Sequence, residues 1–198
     1  MIIGVTGGIG CGKTTVSSIL ASKLNAPVLD ADKISREAMN SEEILTKMCH
    51  FFSNDIFDNN GNIDRKKVAL IAFSNADKLK KLNSIIHPYV MKQIRAQINK
   101  LENDNPFIIL DVPIPIADFK MLCDYIITVW SDLEFRIERI AARSKMTDEE
   151  IIARIKKQMP QKDYEALANT VIYNNDSVEI LENKIDKLIS STEKFKKL

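Results

Sequence analysis

The stretch GVTGGIGCGKTTV, Gly4 to Val16, decides the fold of this chain of 198 residues. The apolar start MIIGVT, residues 1–6, overlaps it and is typical of a buried strand. After the glycines, apolar residues recur at helical spacing, at Val16, Ile19, Leu20 and Leu24. The sequence therefore predicts a strand, a glycine loop and a helix in direct succession, as in a βαβ unit.

Four residues of this stretch, Gly7, Gly12, Lys13 and Thr14, fit the pattern G-x-x-x-x-G-K-[ST] of a P-loop. Glycines let backbone N–H groups turn toward phosphate oxygens, and the lysine reaches the β and γ phosphates of a nucleotide. The threonine hydroxyl is a ligand for magnesium. We interpret Cys11 as a small side chain in the loop whose N–H matters. The loop predicts binding of a nucleoside triphosphate with Mg²⁺.

Further short apolar runs lack the alternation of a half-buried strand, which indicates strands buried on both faces. They are residues 26–31, 107–112, 125–130 and 170–174. Helical patterns separate them, and this order is typical of a parallel α/β protein. We therefore predict an α/β, three-layer P-loop NTPase fold with a five-stranded parallel sheet.

Two segments interrupt this core in the sequence. Residues 33–104 show amphipathic helical patterns and no convincing strand, which predicts a helical insertion. Residues 135–160 hold two arginine-rich helical patterns, the second starting at a capping box of Thr147 and Glu150, and we expect a small helical lid. The predicted nucleotide-binding core is the remainder, residues 1–32, 105–134 and 161–198, ending in a helix over 176–196.

Composition limits the partners and the compartment. The 28 Lys and Arg residues nearly cancel the 27 Asp and Glu residues, so no overall field attracts nucleic acid or an anionic membrane. The three cysteines lack paired spacing, and no stretch approaches the length of a membrane span. We expect a cytoplasmic protein that binds small molecules and neither nucleic acid nor membrane.

A GTPase switch is one alternative, because NKID at residues 183–186 matches the guanine motif N-K-x-D. That motif should follow a buried strand, whereas Ile185 lies on the apolar stripe of the predicted last helix. The aspartate that ends IILD, Asp111, is followed by Val-Pro-Ile and not by the glycine of D-x-x-G. The context therefore favours a kinase over a switch.

A kinase needs an acceptor site opposite the P-loop, and LDAD at residues 29–32 ends the second predicted strand. The carboxyl ends of parallel strands line the ligand crevice. Asp30 and Asp32 point to opposite sides of an extended chain, so only one need face the phosphates, and Asp32 could accept a hydroxyl proton. Alternatively, Asp32 is a helix N-cap. Asp111 has the Walker B position near magnesium.

The chain resembles the dephospho-CoA kinases over nearly its whole length. The similar stretches, in order, are GVTGGIGCGKTTV, VLDADKISREA, FDNNGNIDRKKVALIAF, LNSIIHPYV, IILDVP, RIERIAAR and VIYNN. These enzymes use MgATP to phosphorylate the ribose 3′-hydroxyl of dephospho-CoA, which is the last step of coenzyme A synthesis. The resemblance implies the same reaction here, with ATP and dephospho-CoA as substrates.

The resemblance also implies roles for residues. Residues 33–104, with His87, would form the CoA-binding region, Arg139 and Arg143 would belong to a closing lid, and Asn174 would lie near adenine. Because Arg139 and Arg143 are four residues apart, their spacing also predicts one shared face of a helix. The expected catalytic residues are Lys13, Asp32 and Arg139. The expected ATP contacts are Gly8, Gly10, Cys11, Gly12, Lys13, Thr14, Thr15, Arg143 and Asn174. The expected acceptor contacts are Thr6, Asp32, His87 and Arg139, and Thr14 and Asp111 are the expected magnesium ligands.

Several features depart from the family's usual sequence, including the absence of a proline-glycine pair near MNSEE, residues 39–43. Arg136 stands where glutamine is usual, Asn169 where aspartate is usual, and Ala117 where the family has an acid. These departures bear on dephospho-CoA affinity and lid geometry more than on ATP binding. A degenerate relative that binds nucleotide without turnover is the alternative they raise.

Overall fold

The computed structural model describes residues 1–52, 56–58, 63–73, 75–113 and 118–196. The strands are β1 (Ile2–Thr6), β2 (Val28–Asp30), β3 (Ile108–Asp111), β4 (Tyr125–Trp130) and β5 (Thr170–Tyr173). The helices are α1 (Lys13–Leu24), α2 (Ala31–Ala38), α3 (Glu42–Phe52), α4 (Arg65–Phe73), α5 (Ala76–Leu101), α6 (Phe119–Leu122), α7 (Leu133–Ala141), α8 (Asp148–Lys156), α9 (Gln161–Leu167), α10 (Val178–Ser191) and α11 (Glu193–Lys196).

The five strands form one sheet in the order β2-β3-β1-β4-β5, and every pair in it is parallel. All five predicted strands are confirmed, with ends that differ by no more than two residues. β1 lies in the middle, where Val5 is opposite Asp111 of β3 and Ile127 of β4. The loop after β1 therefore leaves the sheet at the centre of its carboxyl edge, where ligands bind in such folds.

One face of the sheet packs on α1, α10 and α11 to form a hydrophobic core. Its buried members are Ile3, Val5, Cys11, Val16, Leu20, Phe107, Ile109, Tyr125, Ile127, Val129, Ile172, Leu181, Ile185 and Phe195. The β-branched and aromatic residues of the strands fill this layer because every second strand residue points toward the helices. The continuous apolar runs of the sequence arise because the opposite face is also covered.

The opposite face packs on α6 and α9. A Cβ on Gly4 of β1 would lie 2.6 Å from both Cys123 Sγ and the Phe119 ring, so only glycine fits there. Thr128 of β4 donates a hydrogen bond of 2.8 Å to the carbonyl of Tyr164 in α9. Burial is the main cause that raises the pKa of the Cys123 thiol to about 12. Helices on both faces confirm the three-layer α/β fold.

The capping box at the start of α8 is present as predicted. Thr147 accepts from the backbone N–H of Glu150, and the Glu150 carboxylate accepts from the N–H of Thr147. Sequence periodicity predicted α5 over its whole length, and the helix continues through Pro88. A helix after β2 was expected only from about Lys33 and begins at Ala31 as α2, and α3, α6 and α9 were not predicted individually.

The predicted last helix is two helices, α10 and α11, and α10 begins after the N-cap Ser177. Leu181 and Ile185 are buried, but Val178, in the first turn, is 58% exposed and does not belong to the apolar face. Ile185 lies inside the NKID stretch, so these residues form a packed helix and not a base-recognition loop. The guanine-motif alternative is therefore wrong.

The chain divides into two compact units. One contains residues 1–30 and 98–198, including the sheet, and the other contains residues 31–97. The expected lid, residues 135–160, falls within the first unit. The regular structure in the described part of the second unit is helical, apart from an isolated bridge between Phe57 and Ile63. No helix in the described ranges is long and apolar enough to cross a membrane.

The α10 packing predicts a pair of contrasting stabilities. Ile185→Ala removes a fully buried side chain from the core, and we expect it to lower the free energy of unfolding by about 3 kcal/mol. Ile180→Ala is the matched control on the same helix, where Ile180 is 45% exposed, and should change the free energy by less than about 0.5 kcal/mol. Urea denaturation of both variants measures the difference. Equal losses would contradict the packing of α10.

Candidate active site

The glycine loop between β1 and α1 has a backbone that only glycine adopts readily. Gly10 and Gly12 have φ angles of 80° and 88°, in the left-handed region. Gly12 is also the N-cap of α1, and a Cβ there would collide with the side-chain nitrogen of Asn174. The motif glycine at position 12 is therefore required by both the turn and its neighbour.

The start of α1 directs positive potential into this loop. Lys13, Thr14 and Thr15 form its first turn, and the two threonines are exposed. Unpaired N–H groups and the helix dipole favour an anion at such a terminus. The Cys11 N–H instead donates a 3.3 Å hydrogen bond to the carbonyl of Gly8. The loop is thus partly closed on itself and remains open at the helix end.

Two carboxylates flank the start of α1 from the sheet. Asp111 is buried at the end of β3, and Ser17 of α1 donates to its Oδ2 over 3.1 Å. Asp30 at the end of β2 is the register partner of Asp111. Thr14 precedes Ser17 by three residues and so lies on the same side of the helix. Hydroxyl and carboxylate oxygens are the ligands that Mg²⁺ prefers, so Thr14 and Asp111 fit the expected metal role.

Thr6, an expected acceptor contact, ends β1 directly below the loop. Its side chain is fully buried, and Oγ1 has no hydrogen-bond partner among the described residues. Its position in the strand places it on the face of Gly4, opposite the face that packs on α1. A buried hydroxyl without a partner costs about 1–3 kcal/mol, so this group is suited to bind a ligand atom.

Arg139 of α7 is bonded to the nucleotide-binding core. Its guanidinium donates to Ser131 Oγ over 2.8 Å, to the carbonyl of Asn174 over 2.9 Å and to the carbonyl of Gly10 over 3.4 Å. The three acceptors come from the end of β4, the end of β5 and the glycine loop. Arg139 therefore links these segments to α7.

Asn174 and Ser131 complete the same network. The Asn174 side chain is 6% exposed and donates to the carbonyl of Cys11 over 2.9 Å. Ser131, which is fully buried, donates to the carbonyl of Asn174. Asn174, expected near adenine, thus also holds the backbone of the loop. Sequence reasoning missed Ser131, which carries no motif.

Arg136 and Gln158 contact the loop at Ile9. Arg136 Nε donates to the Ile9 carbonyl over 2.9 Å, and Gln158 Oε1 accepts from the Ile9 N–H over 2.8 Å. The sequence flagged Arg136 only as a departure, and it gave no signal for Gln158. The partners are separated by 127 and 149 residues, so local pattern could not reveal them.

The departure at Asn169 is structural. Its Oδ1 accepts the N–H of Ile126 over 2.8 Å, and its own N–H donates to the carbonyl of Ile126. Because a carboxylate oxygen would accept the same N–H, the exchange of aspartate for asparagine retains this link between β4 and the start of β5. Ala117 lies outside the described residues.

The remaining expected residues lie on helices or at their ends. Asp32 is in the first turn of α2 and not at its N-cap, because the helix begins at Ala31. His87 lies within α5, where desolvation lowers the pKa of its imidazole. α7 ends at Ala141, so Arg143 follows the helix and is exposed, and the expected shared helix face with Arg139 is wrong.

A family model of dephospho-CoA kinase matches residues 1–179. The chain belongs to the dephospho-CoA kinase family. The dephospho-CoA kinase of Oceanobacillus iheyensis is 38% identical over 192 residues, covering 96% of both chains. That of Fusobacterium nucleatum is 40% identical over 188 residues, covering 94% of this chain and 96% of its own.

Solved structures agree with this membership. The crystal structure of TT1252 from Thermus thermophilus superposes with a TM-score of 0.82 at 31% identity, covering 96% of each chain. The dephospho-CoA kinase of Campylobacter jejuni gives a TM-score of 0.69 at 26% identity, covering 96% of this chain and 95% of its own. A shikimate kinase from Acinetobacter baumannii, at 18% identity and a TM-score of 0.55 over 97% of this chain and 94% of its own, shares the fold.

The Asn174 contact predicts a specific defect in this family member. Asn174→Asp replaces a donor to the Cys11 carbonyl by a carboxylate, which repels that oxygen and adds negative charge beside the loop. We expect ATP to bind at least tenfold more weakly. Asn183→Asp, at an exposed position of α10, adds the same charge and should bind ATP normally. Calorimetric titration with ATP compares the two, and equal affinities would show that the contact is not needed.

Proposed function

We propose that this chain transfers the γ-phosphoryl group of ATP to the 3′-hydroxyl of dephospho-CoA and releases coenzyme A and ADP. The observation that carries the proposal is family membership over 179 residues with the P-loop intact between β1 and α1. Its relatives in this family are named as dephospho-CoA kinases at 38–40% identity. Phosphoryl transfer by such a fold depends on positioning and charge neutralisation.

On the donor side, the loop and the first turn of α1 would hold ATP. The proposed phosphate contacts are the backbone N–H groups of Gly8, Gly10, Cys11, Gly12, Lys13, Thr14 and Thr15. The Cys11 N–H would exchange its hydrogen bond to the Gly8 carbonyl for one to phosphate. Lys13 would reach the β and γ phosphates. Thr14 and Asp111 would hold Mg²⁺, which neutralises phosphate charge when bound with ATP. The Ser17 hydrogen bond supports this assignment because it orients the Asp111 carboxylate beside α1.

On the acceptor side, we assign Asp32 to orient the 3′-hydroxyl and accept its proton. Its place in the first turn of α2, directly after β2, supports this assignment, since strand ends line the crevice. Thr6 would contribute its buried hydroxyl from below the loop. His87 would contact the substrate from the helical region, and its lowered pKa favours the neutral imidazole at pH 7.

Arg139 and Arg143 would serve the phosphates from the lid segment. Arg143 is exposed beyond the end of α7, and we assign it to neutralise charge on the transferred group. Arg139 would act from a more fixed position, since its guanidinium is bonded to Ser131 and to two backbone carbonyls. We therefore assign Arg139 to orient the site as well as to carry charge.

The same proposal covers partners and compartment. ATP and dephospho-CoA are charged small molecules of the cytoplasm, and we propose that this is where the protein acts. The balanced charge of the chain supports neither nucleic acid nor an anionic membrane as a partner.

The test is a coupled assay of ADP formation with and without dephospho-CoA, with coenzyme A identified by mass spectrometry. We expect ADP and coenzyme A in equal amounts, and only when MgATP and dephospho-CoA are both present. ATP binding without consumption of dephospho-CoA would instead support the degenerate relative that binds nucleotide without turnover.

Two variants separate the donor from the acceptor. Lys13→Ala should weaken ATP binding and lower kcat, because the lysine contacts the donor phosphates. Asp32→Asn should retain ATP affinity and lose about 10²-fold or more in kcat, the scale of a positioned base. Glu179→Gln, which makes the same kind of change in the exposed first turn of α10, is the control. Full activity of Asp32→Asn would remove Asp32 from the chemistry.

A further inference from the structure

We propose that Arg136 and Gln158 are positioning residues that hold the P-loop ready for the phosphates of ATP. Together they bind both backbone groups of one loop residue, Ile9. Arg136 donates to its carbonyl, Gln158 accepts from its N–H, and Arg136 Nη2 donates to Gln158 Oε1 over 3.3 Å. These three hydrogen bonds close a ring around Ile9, which we call the Ile9 clamp. This inference rests on the proposed function, because it takes ATP as the ligand of the loop.

The glycines on each side of Ile9 make the clamp possible. A Cβ on Gly8 would lie 2.5 Å from Arg136 Nη2 and 3.1 Å from Gln158 Oε1, and a Cβ on Gly10 would lie 2.8 Å from the Arg136 carbonyl. A larger residue at position 10 would push the α7 backbone away from the loop, and one at position 8 would displace the Arg136 guanidinium and the Gln158 side chain. Gly8 and Gly10 are therefore needed for this contact as well as for any ligand.

Arg136 is fixed from its other side as well. It is 4% exposed, and its guanidinium lies 4.9 Å from the centre of the Trp130 ring. Because Trp130 ends β4, the guanidinium is held between the sheet and the loop. A side chain packed in this way loses little further freedom when a ligand arrives.

The charge of Arg136 adds to the effect. Within the described ranges, no carboxylate lies within salt-bridge distance of its guanidinium, which is 4% exposed. A buried cation without an anion is costly, and phosphate groups arriving at the adjacent loop would lower that cost. The glutamine usual at this position would offer a hydrogen bond without the charge. Arg136 thus favours the phosphate-bound state.

The clamp also separates one loop N–H group, which is bonded to a side chain, from those that are open to a ligand. The Ile9 N–H is bonded to Gln158 and is not free for phosphate, whereas the amides at the start of α1 point outward from the helix terminus. Holding Ile9 fixes the path of the chain just before Gly10. We infer that the clamp reduces the ordering cost of nucleotide binding and leaves the chemical step unchanged.

The test is the affinity for MgADP without acceptor, measured by calorimetry well below the melting temperature. Gln158→Met removes the acceptor at similar size, and Arg136→Lys retains the charge but loses the paired donors. We expect each to raise the Kd for MgADP about tenfold. Gln161→Met, the same change in α9, where Gln161 contacts Glu165, is the matched control and should bind normally.

Two further measurements distinguish a role of the clamp residues in positioning the P-loop from a role in stabilising the fold alone. In steady state, the clamp variants should raise KM for ATP about tenfold and keep kcat within about twofold. The double variant should lose no more affinity than the weaker-binding single variant, because both act through Ile9. A lowered melting temperature with unchanged Kd for MgADP would overturn the proposal, as would wild-type affinity in Arg136→Lys. Since MgADP binding needs no acceptor, absence of coenzyme A formation would overturn the proposed reaction alone.

Discussion

The constraint on which the site depends is the absence of side chains at three positions of one loop. Gly7 lies against the backbone of β4, Gly10 against the backbone of α7, and Gly12 against the side chain of Asn174. A Cβ at Gly7 or Gly10 would meet backbone atoms that cannot move without shifting a strand or a helix, and a Cβ at Gly12 would displace the buried Asn174 amide. Glycines in such a loop are usually attributed to phosphate binding. Here the packing of the protein itself also requires them. Close packing therefore joins the loop to the sheet and to α7.

That close approach brings polar backbone groups into the interior, where each needs a partner. Arg139 donates hydrogen bonds to the carbonyls of Gly10 and Asn174. Ser131 also donates to the carbonyl of Asn174, and the Asn174 side-chain amide donates to the carbonyl of Cys11. A guanidinium is suited to this because its several donors reach carbonyls from different segments. Arg139, which the family resemblance assigns to phosphate, therefore also has a structural role. A loss of activity on replacing Arg139 would combine the loss of the phosphate contact with the loss of these hydrogen bonds.

The sequence predicted those parts of the molecule that are locally encoded. Continuous apolar runs gave all five strands, the motif gave the loop, and the pair Thr147 and Glu150 gave the start of α8. Short helices such as α9 were missed because so few residues show little periodicity. The Ile9 clamp was missed for a different reason, because its partners are separated by more than a hundred residues and meet only through the order of the strands.

The departures at Asn169 and Arg136 that the family resemblance indicates change charge more than geometry. Asn169 supplies the oxygen that links it to Ile126 without the charge of an aspartate, and Arg136 adds a charge where glutamine is neutral. Only Arg136 lies beside the glycine loop, because Asn169 is at the amino end of β5, at the opposite edge of the sheet. A positive charge beside the loop suits an anionic ligand. Since Lys13 and Thr14 fit the P-loop pattern and Asp111 lies beside α1, the charge of Arg136 supports phosphate binding and not a loss of the nucleotide site.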